Sequence, residues 1–189
     1  MTNPIRIVAF SGNVQRPSKS RSLAEAIATA IASKLPASVE QYDIVDVQPG
    51  LGTALSRADL SPEALRVVEA IEQSDVLVVS TPTYKGSYTG LFKHLIDFVD
   101  AKALVGRPVV VSATGGAPGH ALLIEHQLRP LFGFFSAWTI PTGIFAEDRQ
   151  FEANRPIDSV LIGRIELAAR QVTAVFPRQY ALAEADVTG

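Results

Sequence analysis

At 189 residues, with 47% hydrophobic and 19% charged side chains, the chain suits one compact domain (1–189) with a full core, not a disordered segment. A net charge of −2 gives no electrostatic case for binding nucleic acid or an anionic membrane, and no apolar run approaches the ~20 residues of a membrane span. With no cysteine, disulfides, thiolate catalysis, zinc–thiolate and iron–sulfur sites are excluded.

The N-terminus enters a strand without the charged-then-apolar pattern of a signal peptide, so a cytoplasmic location is expected. Pro4–Phe10 reads as the first strand. Ser11–Ser22 follows, a loop of hydroxyls, one glycine and the cations Arg16, Lys19 and Arg21. An alanine-rich helix is predicted over Leu23–Lys34, with Leu23, Ile27 and Ile31 on one stripe and Pro36 ending it. Val39–Val45 alternates, as a second, more exposed strand does, and Asp46–Leu60 is irregular, with Pro49, Gly50 and Gly52. Ser61–Pro62–Glu63 is a helix start, N-cap serine then proline, for a helix running to about Ser74.

Val76–Val79 is apolar and β-branched without polar alternation, the pattern of a strand buried on both faces of a parallel sheet. It ends at Thr81–Pro82, and a loop rich in Gly, Ser and Tyr leads to Leu91, Phe92, Leu95, Ile96 and Val99 at helical spacing. Arg107–Ala113 is a fourth buried strand, ending in Thr114–Gly115–Gly116. A helix over Ala121–Ser136, a fifth strand over Thr139–Phe145 and a last helix over Asp158–Phe176 complete the pattern, leaving 177–189 as a tail. Five alternations of strand and helix predict an α/β three-layer sandwich. Its five-stranded parallel sheet has the order 2-1-3-4-5, helices on both faces, and a ligand at the switch point between strands 1 and 3.

In that order the loops after strands 1, 3 and 4 share one edge. Ser11, Ser18, Ser20 and Ser22 precede a helix N-terminus, where free N–H groups favour an anion, and Arg16 adds a charge-assisted donor. An ordinary serine-capped turn reads the same way. GxGxxG and Walker patterns are absent. Pro82–Tyr84 offers backbone amides and a flat wall to a planar ring, although Tyr84 and Tyr88 half-buried for packing alone would look alike. Gly115 and Gly116 permit close backbone approach. Together the three loops describe a mononucleotide site, phosphate on the first and a planar ring between the others. His94, read as helix surface, and His120 and His126 form no metal triad with carboxylates, and there is no GxSxG elbow.

Three stretches carry a more specific likeness: Thr81–Lys93 (TPTYKGSYTGLFK), Ala113–His120 (ATGGAPGH) and Leu122–Phe132 (LLIEHQLRPLF). From Ile5 to about Phe151 the chain resembles the NADPH-dependent FMN reductases of flavodoxin-like fold, closest to those serving two-component alkanesulfonate and methanesulfonate monooxygenases. The resemblance implies an NAD(P)H:FMN oxidoreductase that supplies reduced flavin to a monooxygenase, with FMN and NADPH or NADH as its cofactors. It places the flavin phosphate on Ser11, Asn13, Arg16, Ser18 and Ser20, the ring on Pro82, Thr83, Tyr84 and Lys85, and a wall on Thr114, Gly115 and Gly116. No side chain is implied as catalytic acid or base, since hydride passes directly to the flavin. His120 and His126 are secondary candidates for substrate or interface contact.

The same resemblance implies a π-bulge in the helix after the wall, with His126 where the family commonly has tyrosine, and a homo-oligomer, dimer or tetramer. Burial of the nearly all-apolar 121–135 helix in an interface or in a deep core would read alike. Two further functions fit the fold: tightly bound FMN reducing quinones, azo compounds or metal oxyanions, and a flavodoxin-type electron carrier.

Overall fold

The computed structural model describes residues 4–48 and 50–176; the expected tail, 177–189, lies outside the described residues, as does Pro49. The sheet core comprises β1 (Ile5–Ser11), β2 (Ala37–Asp43), β3 (Val76–Pro82) and β4 (Pro108–Gly115). They pair in parallel in the order β2-β1-β3-β4, with β5 (Trp138–Thr139) beyond β4, as the alternation predicts.

The unbroken Val76–Val79 run has a direct physical cause. Val76 and Val78 pack on one face against Leu23, Ile27 and Ile31 of α1 (Lys19–Ala32) and Leu161 and Ile165 of α5 (Ser159–Thr173). Leu77 and Val79 point the other way, to Val67 and Ile71 of α2 (Pro62–Glu72) and Phe92 and Leu95 of α3 (Gly90–Ile96). Both faces are covered, so no position on the strand needs to be polar. Among the described residues β2 pairs with β1 alone, and it keeps its more polar pattern.

α1 begins at Lys19, four residues before its apolar stripe, because Ser18 caps it by accepting from the Arg21 N–H at 3.3 Å. Ser61 caps α2 with Pro62 in the first turn, as expected. Residues 46–60 contain short 3₁₀ turns, Gly50–Thr53 and Arg57–Asp59.

The fifth strand is not continuous. It splits into β5 (Trp138–Thr139) and β6 (Ile144–Glu147), both paired in parallel with β4. Pro141 interrupts it because proline has no N–H to give the ladder. The helix after β4 is broken too. A 3₁₀ turn (Pro118–Ala121) precedes a π-helical turn (Ile124–Leu128), and only Arg129–Phe134 is regular α4. The Arg129 N–H donates to the Ile124 carbonyl, five residues back. Pro130, with no N–H and a ring that clashes with the carbonyl four residues before it, accounts for the wider turn. His126 lies within it, where the resemblance placed a bulge.

One side chain joins the two breaks. Arg129 donates to the carbonyls of Ile140 and Pro141 at 2.8 and 2.6 Å and to Glu125 at 2.7 Å. Gly143 completes the junction, since a Cβ there would lie 2.4 Å from Ile124 Cγ2. Leu123, Ile124, Leu128 and Phe132 of this segment are core residues, whereas Leu122 and Phe134 stand 62% and 71% exposed. A short hairpin, β7 (Phe151–Glu152) with β8 (Arg155–Pro156), was not anticipated; Ala153 and Asn154 turn it with positive φ.

Candidate active site

The loops after β1, β3 and β4 are stitched to one another. Thr89, the N-cap of α3, donates through its hydroxyl to the Gly12 carbonyl at 2.8 Å and joins the loop after β1 to the loop after β3. The Thr83 N–H and hydroxyl both donate to the Thr114 carbonyl, at 2.8 and 2.9 Å. The hydroxyls of Ser20 and Thr114 lie 2.6 Å apart, linking the start of α1 to the end of β4. Between them opens a cleft of about 250 Å³, bounded by Ser18 and Ser20 on one side and by Pro82, Tyr84 and Thr114 on the other.

Tyr84 and Ser87 close a tight turn with reciprocal backbone hydrogen bonds of 2.9 and 3.1 Å, and Lys85 and Gly86 at its tip have φ of 52° and 82°. Two consecutive positive φ values mark a primed turn, which Gly86 adopts freely and Lys85 at some strain. The turn leaves Tyr84 48% exposed at the cleft, while Lys85 points to solvent. Gly115 sits where a Cβ would lie 3.0 Å from His120 Nδ1 and from Phe145 Cζ, so a larger residue would have to push those side chains aside. Gly116 is exposed, and a Cβ there would lie 3.9 Å from the Asp148 carboxylate.

Of the expected residues, Asn13, Ser18, Ser20, Pro82, Tyr84 and Thr114 line the cleft. Ser11 is buried below it, at the end of β1. Arg16 does not face the cleft. Its guanidinium donates to Asp43 at 2.7 and 2.8 Å and pairs with Asp46 at 2.6 Å, so its charge is held by carboxylates at the end of β2. Its pKa is raised accordingly, first by the Asp43 bond and then by Asp46.

Asp43 is the anchor of the first loop. Its side chain is 0% exposed and accepts from Asn13 (3.0 Å), Arg16, Arg21 (2.9 Å) and the Val45 N–H (2.9 Å). Burial alone would raise its pKa. The hydrogen bonds from Arg16 and Asn13 and the charges of Arg21 and Arg16 outweigh that, and the carboxyl lies below its ordinary value. His94 is also not a free surface side chain: its Nε2 lies 3.0 Å from the Leu51 carbonyl and its ring meets Phe98 edge-on.

Lys19, Asp148 and Asn154 line the cleft without having been anticipated. Lys19 follows directly on the Ser18 cap, a signal present in the sequence. Asp148 lies 129 residues away, and no local pattern connects it. Among the described residues no cluster of His, Asp and Glu could hold a metal.

A phosphorylated ligand with a planar ring fits these residues. The first turn of α1 presents N–H groups, Ser18 and Ser20 present hydroxyls, and Asn13 Oδ1 is a buried acceptor without a protein partner. A cleft of this kind, at the switch point of a doubly wound sheet, defines a mononucleotide-binding protein. The family model described as NADPH-dependent FMN reductase matches residues 5–152, and the chain belongs to that family. The NADH-dependent FMN reductase SfnF of Pseudomonas fluorescens is 42% identical over 176 residues, covering 93% of this chain and 94% of that one. An oxidoreductase from Corynebacterium diphtheriae superposes with a TM-score of 0.82 at 32% identity, over 92% of this chain and 97% of its own. Flavodoxin 1 from Bacillus cereus, at 14% identity and a TM-score of 0.64 over 91% of this chain and 99% of that one, shares the flavodoxin-like fold.

Proposed function

We propose that the protein is an NAD(P)H:FMN oxidoreductase whose cleft takes FMN phosphate-first. The observation that carries this is the meeting of three loops, hydrogen-bonded to one another, around a single cleft with a helix N-terminus on one side and an aromatic turn on the other. The first-turn N–H groups of α1, with Ser18 and Ser20, bind the phosphate. Pro82 and the Tyr84–Ser87 turn form the wall for the ring, with Thr83 fixed on the Thr114 carbonyl behind it. Gly115 and Gly116 let the backbone approach the ring's polar edge. When bound, the flavin accepts the hydride from the nicotinamide, so no side chain need act as acid or base. The half-exposed Tyr84 leaves the ring side open, as a flavin that exchanges and a nicotinamide that stacks on it both require.

The resemblance to the sulfonate-type reductases supports delivery of reduced flavin to a partner monooxygenase in the cytoplasm. No helix of the described residues is long and apolar enough to cross a membrane. Exposed Leu122 and Phe134, with His126 on the π turn, support assembly of copies, dimer or tetramer, through the broken helix. The test is NAD(P)H oxidation with and without added FMN, on protein passed through gel filtration. Oxidation dependent on added FMN is expected. Protein that stays yellow and reduces quinones faster than FMN would replace this reading with a tight-flavin reductase, and absence of NAD(P)H oxidation would overturn it.

A further inference from the structure

Three cations sit in the first loop and at the start of α1, and two of them are already neutralised. Arg16 and Arg21 point to Asp43 and Asp46, which hold them with several hydrogen bonds. The third, Lys19, turns the other way and lines the cleft, where its ammonium meets Asp148 at 2.8 Å. Asp148 belongs to the turn after β6 and lies near Gly116, so this ion pair links the start of α1 to the β4 side of the cleft that both residues line. It is built differently from the Asp43 cluster. Asp148 is 65% exposed, and among the described residues its carboxylate accepts from Lys19 alone.

An exposed pair of this kind contributes little net stability, so it opens readily. A phosphate bound on the first turn of α1 carries close to two negative charges and more acceptor oxygens than a carboxylate. It therefore competes with Asp148 for Lys19. Once displaced, Asp148 remains beside the phosphate as an unpaired like charge.

Resting on the flavin reading above, we infer that Lys19 and Asp148 form an exchangeable clasp that sets both phosphate selectivity and flavin release. The Lys19 ammonium leaves Asp148 for the flavin phosphate on binding, and Asp148 reclaims it on departure. Lys19 thus favours phosphorylated over unphosphorylated flavin, while Asp148 keeps the bound form from becoming too tight. A reductase that must hand over its flavin needs affinity of this limited kind. A flavin without phosphate gains nothing from opening the clasp.

The test is equilibrium titration of the full chain and its variants with FMN and with riboflavin, together with the FMN release rate by stopped flow. Lys19→Met is expected to weaken FMN binding about tenfold, the scale of one charge-assisted hydrogen bond, and to leave riboflavin within about twofold. Asp148→Asn is expected to tighten FMN about threefold, mostly through slower release, with riboflavin unchanged. In the Lys19→Met background the Asp148→Asn gain should shrink, because the two side chains act as a pair. Wild-type binding of FMN with an Asp148→Asn variant of equal affinity, or one that tightens riboflavin as much as FMN, would overturn the clasp while leaving the flavin site standing. A wild-type chain that binds neither flavin would overturn the site itself.

Discussion

The Thr89 hydroxyl donates to the Gly12 carbonyl at 2.8 Å and accepts from the Phe92 N–H at 3.4 Å, so one side chain both caps α3 and ties the loop after β3 to the loop after β1. Gly12 is tightly enclosed as well: a Cβ there would lie 2.9 Å from Thr81 Oγ1 and 3.0 Å from Phe92 Cβ. Thr89→Val keeps the shape and removes both bonds. We expect a loss of about 1–3 kcal/mol by urea unfolding, from the lost cap and an unpartnered Gly12 carbonyl. Weaker flavin binding should accompany it. Thr89→Ser should restore most of both; if valine and serine behave alike, the hydroxyl is not what joins the loops.

Asp43 makes stability depend on acid. Its pKa is lower in the folded chain than the ordinary carboxylate value, because Arg16, Asn13 and Arg21 favour the ionised form more than burial disfavours it. The contribution is fully present above the ordinary value of about 3.9 and is lost as pH falls below it through the lowered folded value. Asp43→Asn should cost about 3–5 kcal/mol at pH 7, the scale of breaking a buried ion pair. Urea midpoints at pH 7 and pH 3 should converge between wild type and variant. A gap of constant size would mean that the carboxylate charge is not what anchors the loop.

Tyr84 is exposed enough to change without unfolding the protein. Tyr84→Asp places a charge against the ring wall and should weaken FMN binding by about tenfold or more, whereas Tyr84→Phe should leave it near wild type. An unchanged flavin titration for the aspartate variant would show that the ring lies elsewhere.

Gly143→Ala puts a methyl group 2.4 Å from Ile124 Cγ2, at the junction of the split strand and the π turn. Overpacking of this kind costs about 1–3 kcal/mol, a fall in melting temperature of roughly 2–4 °C per kcal/mol at this chain length. A melting temperature within a degree of wild type would mean that the junction yields freely.

Much of the sheet was legible because its signal is local. Val76–Val79 and Val109–Val111 lie between two covered faces, and Ser61–Pro62 states where α2 begins. The first-strand loop was legible as a helix N-terminus, but not the direction of its cations. Nothing next to Arg16 reveals that Asp43, 27 residues on, closes a buried carboxylate over it. Lys19 and Asp148 meet across an even longer separation. In the fifth strand a single proline sits between two stretches of strand-like residues, so Thr139–Phe145 reads as continuous until the pairing of Ile144 with Ser112 shows that the ladder restarts. The β7–β8 hairpin is too short for any periodicity. Only Asn154, a residue tolerant of the left-handed region, marks its turn.

Arg129 gives the two irregular elements a shared mechanical fate. Straightening the π turn would withdraw its guanidinium from Ile140 and Pro141, and the strand that begins three residues later carries Phe145 and Glu147 toward the wall of Gly115. Arg129 thus binds the segment whose outer side exposes His126 and Leu122 to the strand whose Glu147 pairs with Gly115.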